Sequence, residues 1–128
     1  LTVGERQQLE IARLLAQGVR VLILDEPTTG ISAPQKALLF ETLHKLAAEG
    51  LSVIFVSHKL DEVQALCDAV TVLRQGRKVG EVAAPLDAAQ LVALMFGQEL
   101  SSPAKKRLCA GEIPAIACIF LRTSRTVL

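Results

Sequence analysis

Apolar positions along the chain change period several times, and each change marks an element. Leu9, Ala12 and Leu15, with Ile11 beside them, recur at helical spacing and predict a helix over residues 5–17, stopped by Gly18. The run Val21-Leu22-Ile23-Leu24 is apolar without a break, which predicts a strand buried on both faces of a parallel sheet. Ser32 then reads as a helix N-cap, with Pro34 in the first turn and Gln35 at capping-box spacing. Leu39, Leu43, Leu46 and Ala47 share one face of that helix, and Gly50 ends it. Residues 52–56 form a second continuous apolar strand, rich in β-branched side chains. A short helix over residues 60–67 carries Leu60, Val63 and Leu66 on one side. Residues 70–74 and 78–82 flank Gln75-Gly76-Arg77, a hairpin signal. A last helix covers residues 88–96, with Asp87 as N-cap, Gln90 completing a capping box and Gly97 as C-cap. This alternation implies a right-handed βαβ unit and an α/β fold.

Past Leu100 the pattern breaks. Ser101-Ser102-Pro103 and Lys105-Lys106-Arg107 read as a linker, and residues 108–128 show no clean periodicity. We divide the chain into a domain over residues 1–100 and a linker or unassigned tail over 101–128. The tail fits the start of a second domain, a segment without fixed structure, or a translation in the wrong frame. Leu1 is not a start residue, so we expect a natural N-terminus upstream.

Composition narrows the field. The 128 residues are 51% hydrophobic and 21% charged, a folded domain's balance rather than a disordered one's. With four Phe and no Trp or Tyr, the core must be built from Leu, Val, Ile and Ala. Fourteen basic side chains against 13 acidic give a net charge of +1, with no electrostatic case for a nucleic-acid partner. Cys67, Cys109 and Cys118 are odd in number and far apart, which supports neither a disulfide framework nor a zinc site. The apolar stretch over residues 113–121 is broken by Pro114 and is too short to cross a bilayer. A soluble, cytosolic chain is therefore expected.

Three places carry candidate chemistry. An apolar strand ending in Asp25-Glu26 puts two carboxylates at the C-terminal edge of a parallel sheet, where α/β proteins bind ligands. The first is suited to holding magnesium, usually through water, beside a phosphate. The second is suited to orienting or deprotonating an attacking water. Leu1-Thr2-Val3-Gly4-Glu5 opens directly into a helix, whose N-terminal N–H groups and the Thr2 hydroxyl can seat phosphate oxygens. The same residues also suit a plain capping box between Thr2 and Glu5. Ser57-His58 ends the second buried strand, at the same sheet edge as the acidic pair.

In this order, these elements resemble the ATP-binding cassette (ABC) family over residues 1–100. Residues 1–5 look like its signature loop, 21–26 like its Walker B strand, Thr29-Gly30-Ile31-Ser32 like its D-loop, and Ser57-His58 like its switch histidine. The resemblance implies a partial P-loop NTPase-like domain, a mainly parallel sheet flanked by helices with a C-terminal hairpin and helix. It implies ATP and magnesium as cofactors, with Asp25 on the metal, Glu26 as general base and His58 sensing the γ-phosphate. Thr2, Val3, Gly4, Glu5 and Ser32 would line nucleotide sandwiched against a second cassette. Membrane permease subunits would hold the protein on the inner face of the cell membrane. Val3-Gly4-Glu5-Arg6-Gln7-Gln8, residues 57–63 and Val72-Leu73-Arg74-Gln75-Gly76 are similar to importers for sugars and nucleosides. Residues 91–97 resemble the end of a first cassette in that branch.

The sequence departs from the family in three respects. The Walker A phosphate loop and the Q-loop do not occur in these 128 residues, Ser32 stands where the D-loop has Asp, and residues past 100 match no second cassette. We therefore expect little ATP binding or hydrolysis by the chain alone, and exposed apolar edges that favour aggregation. Two alternatives accompany this reading. One is a DNA-repair-type ABC ATPase, which Asp25-Glu26-Pro27-Thr28-Thr29-Gly30 also resembles, and the other is an inactive truncated remnant.

Overall fold

The computed structural model describes residues 1–96 in full and the backbone of residues 116–120. The elements run α1 (Val3–Ala16), β1 (Val21–Asp25), α2 (Ala33–Ala48), β2 (Ser52–Ser57), α3 (Leu60–Leu66), β3 (Ala69–Arg74), β4 (Arg77–Ala83), α4 (Ala88–Phe96) and β5 (Ile116–Phe120). Every helix and strand expected up to residue 96 is present, with ends moved by a residue or two. Asp87 Oδ1 accepts from the Ala89 N–H at 3.0 Å and so caps α4 as expected. Gly97 and the linker over residues 101–107 lie outside the described residues.

The strand order is β1-β2-β5-β3-β4. Among the described residues parallel pairing is confined to β1 and β2, with Asp25 opposite Val56, as the βαβ reading requires. The other pairings are antiparallel, so the sheet is less parallel than the resemblance implied. The cause is twofold. β3 and β4 are a hairpin, turned by Gln75 and Gly76 at φ 50 and 71, and adjacent positive φ values give the primed turn that matches strand twist. Between the two halves lies β5, from the segment in which we saw no periodicity. Its Ile116-Ala117-Cys118-Ile119-Phe120 is a short unbroken apolar run, the pattern of a strand interior to a sheet.

One apolar cluster joins Ile11, Leu39, Leu43, Ala47, Val63, Leu66, Leu91 and Met95 of the helices to Leu22, Leu24, Val53, Phe55, Val70, Val72 and Val82 of the strands. Phe55 is fully buried and meets Phe40 of α2 edge-to-face, with centroids 6.0 Å apart. The helices thus cover one sheet face. On the other face Val21 and Ile23 are 52% and 66% exposed, which corrects the expectation of a strand buried on both sides. Full burial of such a side chain stabilises by about 1.5–3 kcal/mol, so β1 leaves half or more of that ungained at each position. Among the described residues no helix is long and apolar enough to cross a membrane.

Candidate functional site

Parallel pairing of β1 with β2 carries two loops to one edge of the sheet. The Glu26 N–H extends the ladder by donating to the Val56 carbonyl at 2.8 Å, and the Glu26 carbonyl accepts from the Thr29 N–H at 3.2 Å. To make this turn, Glu26 takes φ 43, a left-handed conformation that is uncommon for a residue with a side chain. Such conformations cost on the order of 1–3 kcal/mol and concentrate at functional sites.

His58, just past β2, places Nδ1 2.6 Å from Glu26 Oε1. Both side chains are part-exposed, at 38% for His58 and 45% for Glu26. A carboxylate only accepts, so with Glu26 ionised the Nδ1–H is the donor, and Nε2 is the second functional nitrogen. Asp25 ends β1 one residue before this pair. The structure therefore brings Asp25, Glu26 and His58 to one edge, as the sequence suggested. No group of three or more His, Cys, Asp or Glu suited to a metal occurs among the described residues. One strand-end carboxylate fits magnesium, which keeps waters and takes one or two carboxylates beside a phosphate rather than a full protein cage.

A second group forms at the start of α1. Thr2 caps the helix. Its hydroxyl accepts from the Glu5 N–H at 3.3 Å, while its own N–H donates to Glu5 Oε2 at 2.6 Å, which is the capping box anticipated as an alternative to phosphate seating. The Thr2 N–H and the Thr2 hydroxyl, which donates to Glu5 Oε2 at 3.0 Å, hold the Glu5 carboxyl below the usual value of 4.5, the backbone N–H contributing most. Ser32 caps α2 in the same manner with Gln35. Gln35 does more than close that box, because its Nε2 donates to Thr2 Oγ1 at 3.0 Å. A Cβ on Gly4 would stand 2.8 Å from Gln35 Cδ, so the absence of a side chain at Gly4 lets the two helix starts approach. Thr2, Gly4, Glu5 and Ser32 thus share one cluster, and Val3 stands exposed beside it. Among the described residues no hydrogen bond or ion pair links this cluster directly to Glu26 and His58.

The sequence reading missed Gln35 as a bridge, and it missed Glu62. Glu62 is 1% exposed in α3 and accepts from Thr28 and Ser57, the residues beside the two loops' functional groups. Helical spacing carried the signal, since Glu62 falls on the same face as Leu66 and next to Val63, both buried. A cavity of about 570 Å³ lies at the opposite strand ends, lined by Leu15, Val21, Leu46, Glu49 and Leu51 among others, away from the carboxylates.

Comparison with known proteins agrees with these motifs. A family profile described as ABC transporter matches residues 1–29, which hold the capped start of α1 at Thr2–Glu5 and the Asp25-Glu26 strand end. The arabinose import ATP-binding protein AraG 2 of Burkholderia ambifaria is 43% identical over 102 residues, 78% of this chain and 20% of that protein. The glucose import ATP-binding protein TsgD13 of Haloferax volcanii is 44% identical over 114 residues, 88% of this chain and 21% of that protein. The ribose import ATP-binding protein RbsA of Yersinia pestis is 45% identical over 102 residues, 79% of this chain and 20% of that protein. The chain spans about one fifth of the length of these curated relatives. With a capped, glycine-bearing helix start, strand-end carboxylates and histidine in the expected order on a partial P-loop NTPase-like α/β scaffold, the chain belongs to the ABC transporter family.

Proposed function

We propose that the chain forms part of the ATP-hydrolysing subunit of an importer for a sugar or a nucleoside. The observation that carries this reading is the 2.6 Å contact between Glu26 and His58 at the carboxyl ends of two parallel strands. Glu26 acts as general base toward the attacking water. One of its oxygens is engaged by His58, and the other takes the proton. His58 orients Glu26 through Nδ1 and, through Nε2, meets the γ-phosphate. A neutral ring with Nδ1–H offers Nε2 only as an acceptor, so donation to phosphate while Nδ1–H holds the ionised Glu26 requires the imidazolium. Asp25 is the residue that would hold magnesium, and that ion would supply neutralisation of charge on the phosphate oxygens.

Thr2, Val3, Gly4 and Glu5, with Ser32 behind them, face nucleotide held by a second cassette rather than by Asp25 and Glu26. Residues 1–100 supply the cassette part. Permease subunits hold the protein at the cytoplasmic face of the membrane, and no nucleic acid is involved. The names of the relatives favour import over DNA repair.

The test is a chimera in which this chain replaces the matching stretch of the Yersinia pestis relative, assayed for ATP hydrolysis. The chimera hydrolyses ATP, and Glu26→Gln within the graft lowers kcat by about 10²-fold or more, the range of general-base catalysis. Equal rates with and without Glu26→Gln refute the reading.

A further inference from the structure

Glu62 is a carboxylate placed where packing alone would put a hydrocarbon. Its side chain is 0% exposed, in the first turn of α3 beside Val63. Oε2 accepts from Thr28 Oγ1 at 2.8 Å and from Ser57 Oγ at 3.1 Å, and Ser57 Oγ in turn accepts from the Lys59 N–H at 3.1 Å. Oε1 makes no hydrogen bond, and it stands 3.5 Å from Lys36 Nζ and 3.4 Å from Lys59 Nζ. Lys59 Nζ also donates to Thr28 Oγ1 at 3.3 Å. Desolvating a carboxylate is costly and is repaid only by good geometry, so its partners here are informative.

Those partners belong to the two catalytic loops. Thr28 lies two residues past Glu26, and Ser57 immediately precedes His58. One oxygen atom therefore ties together the loops that bring Glu26 and His58 to 2.6 Å. A relative slip of about 1 Å between the loops would stretch that contact beyond hydrogen-bonding range. We propose that Glu62 is a positioning residue that sets the separation and orientation of the Glu26–His58 pair. Its catalytic meaning rests on the ATPase reading above, while the clamp itself is a matter of geometry. A purely structural Glu62 would stabilise α3 without governing the His58 ring, and this difference can be measured.

The readout is the ring nitrogen and carbon signals of the two histidines by NMR in the 128-residue chain, with His44 as internal reference. Glu26→Gln first identifies the His58 signals that report the contact. Glu62→Ala, and separately Thr28→Val with Ser57→Ala, are expected to move those signals toward their Glu26→Gln positions and leave His44 in place. Glu62→Gln, whose amide oxygen still accepts both hydroxyls, is expected to keep them near wild type. Where Glu62→Ala does not fold, the hydroxyl double variant decides. Wild-type His58 signals in the double variant overturn the proposal. So do a Glu62→Gln chain that matches Glu62→Ala, and His58 signals insensitive to Glu26→Gln. An inactive chimera with His58 signals that shift as stated refutes the ATPase reading alone. An active chimera with unmoved signals refutes the clamp alone.

Discussion

Gly4 is where the packing of α1 against α2 can be put to a number. Its backbone lies inside α1, so replacement by Ala relieves a helix of glycine and by itself stabilises by about 0.5–1 kcal/mol. The new Cβ, however, would stand 2.8 Å from Gln35 Cδ and 3.0 Å from both Nε2 and Oε1. Gln35 cannot swing away freely, because Oε1 accepts from the Ser32 N–H at 3.1 Å and Nε2 donates to Thr2 Oγ1 at 3.0 Å. Withdrawal loses both bonds. Each contributes about 0.5–1 kcal/mol, about 1–2 kcal/mol together. Gly4→Ala is therefore expected to destabilise by roughly 0.5–1 kcal/mol. In a Gln35→Ala background the same change stabilises by about the helix-propensity gain, so the coupling energy is about 1–2 kcal/mol. Guanidinium melts of the four chains, followed by far-ultraviolet circular dichroism at dilute concentration, measure this cycle. If Gly4→Ala stabilises in both backgrounds and the effects add, the reasoning fails.

Ile23→Thr keeps a β-branched strand residue while removing exposed apolar surface; stability should change by less than about 0.5 kcal/mol and light scattering should report less association. Unchanged scattering would mean that the bare sheet face does not drive association. Phe55→Ala removes a fully buried ring and its edge-to-face contact with Phe40 and should cost about 3–5 kcal/mol in denaturant melts; a loss under about 1 kcal/mol would contradict the core described. Glu5 has a folded-state value below 4.5, so its contribution to the α1 cap is present above the ordinary carboxylate range and disappears as pH falls through the folded value. A carboxyl-carbon NMR titration should place its midpoint under 4.5, and a midpoint at or above that value would reject the capping box.

Local chemistry was legible wherever one residue type has one strong structural use. Ser32, Pro34 and Gln35 announced the start of α2, and Gln75-Gly76 the hairpin, because caps and left-handed turns accept few side chains. The edge shared by Asp25, Glu26 and His58 followed from two apolar strands with polar ends, which parallel pairing must align. Three features escaped for the same physical reason, namely that they depend on what lies across the fold. Exposure of Val21 and Ile23 reflects the lack of a covering element on that face among the described residues, which an unbroken apolar run does not reveal. Strand β5 was hidden by its surroundings, since five apolar residues without flanking periodicity fit many structures until partners on both sides are known. The bonds from Gln35 to Thr2 and from Glu62 to Thr28 span 33 and 34 residues, beyond any local pattern.

The left-handed backbone at Glu26 sets two kinds of selection against each other. Glycine would occupy φ 43 without strain, so Glu26→Gly relaxes the turn at the moment it deletes the proposed base. A library screened for cellular abundance should therefore enrich small or flexible residues at position 26, while one screened for transport should retain only Glu. Divergence of the two enrichment profiles at a single codon would identify a residue kept for its chemistry at the expense of its conformation.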